Sequence, residues 1–444
     1  MSSMASPTAS FATPTLVGAS NYTHFWMPIP LFRAAADETA DLYMTVALHG
    51  DSGPWGPCPN PKHPQNCSAG YRRTQTGRWH RSPEFAGNAV LRLSRTRSRG
   101  FGGHVILDAA SSNGTSGKIA WQDWEWSPPG ITVTGHGHAP VIGLPPSYGA
   151  SLMMLPSAVR LTDGAWVALA YGATQADHAA GAGDRTCVGL YRWQAHFCSR
   201  TYVLGTTDGG ASWAYRGSIG WVPAMGRRVS GPNEAALTLL PDARTLLATV
   251  RVEGHTNLWQ ALSDDGGATW GAPVEANAWS VFPSMRTLSN GVVALVSGRP
   301  GLGLWLLEDA KAARWAFFNL AREHNAACAR AGPAGCGVNS TYDAFTAGIA
   351  SATLSVVDGQ RVPISPYRDL NHSTPPMSKG YLGLEAVGRC EGRRCDVIVT
   401  YDRDCNGGEG PDCPMCPVQR LHGNEDRVYA MRVSVWANGS TPQH

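Results

Sequence analysis

Charge is the first thing this chain is short of. Lys, Arg, Asp and Glu make up only 16% of its 444 residues, against about 25% in an average soluble domain. The 36 basic and 33 acidic residues nearly cancel, leaving a formal +3. No basic block stands out, which argues against a nucleic-acid partner. No run of 18 apolar residues occurs, so nothing reads as a membrane-spanning helix. P-loop, dinucleotide-fingerprint and Gly-x-Ser-x-Gly motifs are missing from any suitable context, which removes the chemistries those motifs serve. Helical patterning is scarce too. The Ala-rich stretch 310–331 is the one candidate, either as a helix or as a hairpin followed by a short helix.

Apolar residues account for 43% of the chain, with 16 Trp, and a disordered chain would be poor in aromatics and rich in charge. Gly and Pro, at 51 and 31 residues, exceed the usual share. The composition implies a turn-rich, cored, all-β protein.

Eleven cysteines fall mostly in close pairs: Cys58 with Cys67, Cys187 with Cys198, Cys328 with Cys336, Cys390 with Cys395, then Cys405, Cys413 and Cys416. Six N-x-S/T sequons, at Asn21, Asn66, Asn113, Asn339, Asn371 and Asn438, exceed the number that the 16 Asn would give by chance, about two or three. Sequons and paired cysteines together imply short loop-stapling disulfides in a glycosylated, secretory, extracellular or lumenal protein. Two alternatives stay open. The thiols could be reduced and buried, or the last five could bind zinc, although Cys413-x-x-Cys416 supplies only half of a site spacing. The N-terminal MSSMASPTASFATPTLVGAS has neither a basic n-region nor a clear apolar h-region. Either the true start lies upstream or the secretory reading fails.

Residues 1–20 read as a disordered Ser/Thr/Ala/Pro arm, 21–435 as one folded unit and 436–444 as a tail. Within the unit a two-strand pattern recurs around a turn dipeptide: AVRLTDGAWVALAYG (158–172), AALTLLPDARTLLATVR (235–251) and SMRTLSNGVVALVSG (284–298). Asp163-Gly164 and Asn290-Gly291 are strong hairpin turns, and Asp242-Ala243 is a weaker one. A second hairpin alternates with it, TTDGGASW (206–213) and SDDGGATW (263–270), with degenerate copies at 74–79 and 306–315. Trp213 and Trp270 are 57 residues apart, Trp270 and Trp315 45. Periods of that size mark a propeller, and 21–435 at roughly 50–70 residues per unit gives six to eight blades.

The S/T-x-D-x-G-x-[ST]-W element is the Asp-box, and over 25–435 the chain resembles the sialidase superfamily. The resemblance implies a six-bladed β-propeller. It also makes Asp208, Asp265, Trp213 and Trp270 turn-building residues rather than catalytic ones. A sialidase substrate carries a carboxylate on its anomeric carbon, which would repel a carboxylate nucleophile. The family instead uses a Tyr activated by Glu, an arginine triad on the substrate carboxylate and an Asp general acid. Carried over by motif, GPNEAALTLLPDARTLLATVR places Glu234 as the base and Arg251 as one clamp. SKGYLGLEAV offers Tyr381 as the nucleophile, although Leu382 stands where the family has a small polar residue. SGRPGLGLWLL offers Arg299 as a second clamp, with Arg286 a weaker candidate. LYMTVALHGDSGPWG places Asp51 as the acid, with His49 nearby.

The first arginine breaks the pattern. In FWMPIPLFR the family's Arg position falls on Pro28, and Arg33, five residues further on, faces the other way along a strand. Arg72, Arg73 and Arg78 are remote substitutes. His136-x-His138 would share one strand face but lacks a third metal ligand. Trp121, Trp124 and Trp126 suit blade packing or a sugar platform.

The leading expectation is an exo-glycosidase on a terminal acidic sugar of a glycan or glycoconjugate, sialic acid foremost, with catalytic Tyr381, Glu234 and Asp51 and substrate-binding Arg251 and Arg299. It needs no cofactor and no metal. Two alternatives remain: a carbohydrate-binding propeller without turnover, and a propeller lyase or hydrolase on uronic-acid polysaccharide using His49 or His136 with Tyr381.

Overall fold

The computed structural model describes residues 6–20, 27–34, 40–47, 68–74, 76–82, 89–108, 115–128, 130–177, 199–225, 231–252, 257–279, 281–298, 302–331, 354–357, 360–363, 381–403 and 426–437. Asp51, His49, Arg299, the six sequon asparagines and eight of the eleven cysteines fall outside them.

The chain is all-β, built from successive strand groups, of which the second and third are hydrogen-bonded to each other as one eight-stranded sheet. Two short strands come first, β1 (Thr8–Phe11) and β2 (Thr15–Ser20). The first group is β3 (Met27–Arg33), β4 (Leu42–Ala47), β5 (Ser68–Arg73) and β6 (Trp79–Ser82). The second is β7 (Ala89–Arg92), β8 (Arg97–Leu107), β9 (Gly117–Ser127) and β10 (Gly130–Ile142). The third is β11 (Ser147–Arg160), β12 (Trp166–Thr174), β13 (Arg200–Thr206) and β14 (Trp213–Ile219). The fourth is β15 (Pro232–Leu239), β16 (Leu246–Val252), β17 (Asn257–Ser263) and β18 (Val274–Trp279). The fifth is β19 (Ser284–Thr287), β20 (Val293–Gly298), β21 (Leu302–Asp309) and β22 (Arg314–Asn319). A helix, α1 (Leu320–Ala331), and a two-stranded ribbon, β23 (Leu354–Val357) with β24 (Gln360–Pro363), come before the last group. That group is β25 (Leu382–Glu391), β26 (Arg394–Arg403) and β27 (Asp426–Trp436).

Residues 8–20 correct the sequence expectation of a disordered arm. β1 and β2 both pair antiparallel with β27, from Thr8 opposite Trp436 to Ser20 opposite Asp426, and so complete the last group as its outer strand. The composition is polar because an outer strand needs little apolar surface, and Phe11 anchors it against Phe318 at 6.0 Å. Trp436, expected to open the tail, is the last residue of β27.

The two-strand patterns at 158–172, 235–251 and 284–298 are the hairpins β11–β12, β15–β16 and β19–β20. The second alternative for 310–331 holds: a tight turn and β22 precede α1.

Strand alternation feeds two cores at once. On β20, Ala294 and Val296 enter one apolar cluster and Val293 and Leu295 another. A strand buried on both faces reads as a continuous apolar run, as VVALVSG does. The clusters succeed one another. Phe32 and Trp124 lie between the first and second groups, Leu91 and Leu204 between the second and third, and Val203 and Val250 between the third and fourth. Leu247 and Leu295 join the fourth to the fifth, Leu304 and Val397 the fifth to the last, and Met44 and Val428 the last to the first. The series returns to its start. The first strands of the groups lie innermost: β25 packs on β3 and β19, β15 on β11 and β19, and β11 on β7.

The turns after β13 and β17 are built alike. Asp265 accepts hydrogen bonds from the hydroxyls of Ser263 (2.8 Å) and Thr269 (2.5 Å) and from the Thr269 N–H. Asp208 is held in the same way by Thr206 and Ser212. Gly210 (φ 82°) and Gly267 (φ 90°) occupy the left-handed region that favours glycine. A Cβ on Gly210 would lie 2.4 Å from the Phe101 ring, so each turn also backs onto the preceding group. The turns lie at the C-terminal ends of β13 and β17, at the opposite end of the groups from residue 234.

Candidate functional site

Glu234 is the third residue of β15, and Arg251 lies near the end of its hairpin partner β16. Pro232 pairs with Val252 and Ala235 with Val250, so two residues of β15, Asn233 and Glu234, face Arg251 alone. Such a bulge re-aims a side chain. Here it brings the Glu234 Oε2 to 2.9 Å from Arg251 Nη1. Both side chains are largely buried, at 10% and 15% exposure. The Asn233 side chain accepts the Glu234 N–H at 2.6 Å and fixes the local backbone.

The same Oε2 accepts the Phe282 N–H at 2.9 Å. Phe282 sits between β18 and β19 with φ at +40°, a backbone region that bulky residues rarely adopt. Its ring packs on Tyr381, with centroids 5.3 Å apart. Tyr381 immediately precedes β25, is 4% exposed and shares an apolar cluster with Ala235, Val250 and Val252. Glu234, Arg251 and Tyr381 are thus gathered at one end of the inner strands. Among the described residues, the carboxylate of Glu234 bonds Arg251 and Phe282.

The other candidates go elsewhere or fall outside the described residues, as Asp51 and Arg299 do. Arg286 turns to Glu385, 3.4 Å from its Oε2. Arg33 donates through Nη2 to the Ala386 carbonyl at 2.6 Å. Arg72 pairs with Asp41 at 3.5 Å. His136 and His138 are exposed on β10, which lies between β9 and β14 in the eight-stranded sheet, whereas Tyr381 adjoins the inner strand β25. The Trp cluster is packing: Trp124 is fully buried and donates to the Ala34 carbonyl at 2.8 Å. Trp121 lies along Gly135 and Gly137, with the Arg99 guanidinium 4.2 Å from its ring.

Glu385 is the charged group that sequence reasoning passed over. It is 1% exposed on β25, and Arg92 Nη2 donates to its Oε2 at 2.7 Å. Burial alone would raise its pKa, but Arg92, then Arg286 and Arg33, and the Ala386 N–H outweigh it and hold the carboxyl down to about 2. A Glu following YLGL on a strand signals nothing by itself, because its partners come from three other groups.

No protein-family model matches the chain, and no curated protein matches it in sequence. Among solved structures it is similar to a protein of unknown function from Dyadobacter fermentans, at 12% identity, TM-score 0.49 and coverage of 96% of this chain and 99% of that one. It is also similar to an alpha-L-arabinanase of Penicillium chrysogenum complexed with arabinobiose, at 11% identity, TM-score 0.47 and coverage of 95% and 98%. A third is the Hadza microbial sialidase Hz136, at 12% identity, TM-score 0.40 and coverage of 88% of this chain and 63% of that one. The chemistry has to be read from the side chains.

Proposed function

We propose that the ring of strand groups is a six-bladed β-propeller whose Asp-box turns face away from its working end, and that it is a glycosidase acting on a terminal acidic sugar, sialic acid foremost. The observation that carries this reading is the convergence of Glu234, Arg251 and Tyr381 around Phe282. In the proposed reaction the Tyr381 oxygen attacks the anomeric carbon and its proton passes to Glu234. The glycosidic bond breaks, and Asp51 protonates the departing oxygen. Water, deprotonated by Asp51, then cleaves the Tyr381–sugar bond, and Tyr381 recovers its proton from Glu234. A neutral phenol suits a carbon bearing a carboxylate, where a second negative charge would be repelled. Arg251, with Arg299, would grip the sugar carboxylate. No cofactor or metal enters these steps.

A secretory or extracellular setting is part of the reading. It is supported by the Cys390–Cys395 disulfide and by Cys328, which is also disulfide-bonded, because such bonds persist in oxidising compartments.

The test is hydrolysis of a fluorogenic sialic-acid aryl glycoside beside uronic and neutral glycosides, an arabinofuranoside among them. Turnover of the sialoside that disappears in Glu234→Gln and Tyr381→Phe is the expected result. One observation favours a second reading, a carbohydrate-binding propeller without turnover: the Glu234 carboxylate is already engaged by Arg251 and Phe282. A folded protein that binds sialosides but hydrolyses no substrate would establish that reading instead.

A further inference from the structure

A second charged constellation lies farther along the inner strands. Arg33 and Arg92 are the last residues of β3 and β7, and Arg286 is the third of β19's four. Glu385 is the fourth residue of β25, so it points to the same side of that strand as Tyr381 and lies about 13 Å beyond it. The four residues belong to four different groups, yet they meet. Arg92 and Arg286 both address one oxygen, Oε2 of Glu385, while Oε1 accepts the Ala386 N–H at 3.2 Å. Arg33 is fixed beside them through the Ala386 carbonyl.

The charges do not balance. Two guanidinium groups share one carboxylate, and Glu385 is the ion-pair partner of both. Among the described residues, part of their donor capacity is unspent. A guanidinium carries five N–H groups, of which Arg92 gives one to protein and Arg286 gives three. Their side chains remain 32% and 22% exposed above a carboxylate that is 2% exposed. The result is two partly exposed guanidinium groups converging on one buried carboxylate oxygen.

We propose that Arg92 and Arg286, positioned by Glu385 and reinforced by Arg33, bind a small oxyanion of the phosphate or sulfate class at this end of the inner strands. A multi-oxygen anion can accept from two guanidinium forks at once, whereas a halide offers a single centre. The site uses none of the residues assigned to glycoside cleavage and stands or falls apart from that assignment.

Calorimetric titration of the whole protein with inorganic phosphate, and separately with sulfate, at constant ionic strength set by chloride, tests it. Saturable binding by the wild type is expected, weakened at least tenfold in Arg92→Gln and in Arg286→Gln and unchanged in Arg244→Gln, a change in an exposed hairpin turn. Glu385→Gln removes the competing negative charge and should tighten binding. If that variant does not fold, the two arginine variants, with circular dichroism to confirm their fold, decide the matter. Absence of wild-type binding to both anions, or wild-type affinity retained in Arg92→Gln and Arg286→Gln, overturns the proposal.

Discussion

Phe282 holds Glu234 and Tyr381 from two sides, giving its backbone N–H to the carboxylate at 2.9 Å and its ring to the phenol at 5.3 Å. It does so from a φ of +40°, so the surrounding packing has to outweigh local backbone strain.

Replacing this ring should therefore be costly. Phe282→Ala removes an almost fully buried aromatic, and we expect a loss of about 3–5 kcal/mol. Phe282→Leu, which keeps most of the volume, should lose clearly less. Urea denaturation of both variants checks the order, and equal losses would mean that the ring's contact with Tyr381, and not the volume it fills, carries the stability.

The Glu234–Arg251 pair makes a sharper test. Arg251→Met leaves a largely buried carboxylate with only the Phe282 N–H, at an expected cost of about 3–5 kcal/mol. Combining it with Glu234→Gln should recover part of that loss. A double-mutant cycle measures the coupling, and strictly additive losses would show that the two side chains do not depend on each other.

Acid stability should carry the mark of Glu385. Its carboxyl is lowered from 4.5 to about 2 in the folded protein, so its stabilising contribution is complete above pH 4.5 and drains away as pH falls towards 2. The linkage is on the order of 3 kcal/mol. Asp208 and Asp265 are also lowered to about 2 and titrate in the same window, so the informative quantity is a difference. The stability of Glu385→Gln should vary less between pH 5 and pH 2.5 than that of the wild type. Parallel curves would remove Glu385 from the account.

The turns after β13 and β17 should matter for folding and not for turnover. Asp265→Ala loses the hydrogen bonds to Ser263 and Thr269, worth about 1–2 kcal/mol together at an exposed site. Gly267→Ala should cost more, because a Cβ there meets Val203 at 2.8 Å and the backbone sits at φ 90°. Thermal melts rank the two. A change in glycoside turnover at temperatures where both variants are fully folded would contradict the structural role.

These turns were also the most legible part of the sequence. A hairpin turn is written in four to eight consecutive residues, and Asp163-Gly164 or Ser263 to Trp270 carry all the information the backbone needs. Glu234 and Arg251 were readable for a related reason: a single hairpin brings them together. What could not be read depends on partners far away along the chain. The bond from Arg33 to the Ala386 carbonyl spans 353 residues, and that from Arg92 to Glu385 spans 293. Each is settled only when the ring closes. The N-terminal strands were missed because their hydrogen-bonding partner, β27, lies some 400 residues downstream and supplies the order that their own composition does not.

That outer strand has a mechanical meaning. Thr8 sits opposite Trp436 and Phe11 opposite Val433, so the two outward-leading ends of the chain emerge side by side from the same end of one antiparallel ladder. A pull between them would load the hydrogen bonds in succession, as a zip opens, and never all together. In single-molecule stretching from the termini, we expect the ladder to yield at low force before the rest of the ring gives way. A first event as forceful as the rupture of a sheared sheet would mean that the ladder is not where the ring opens.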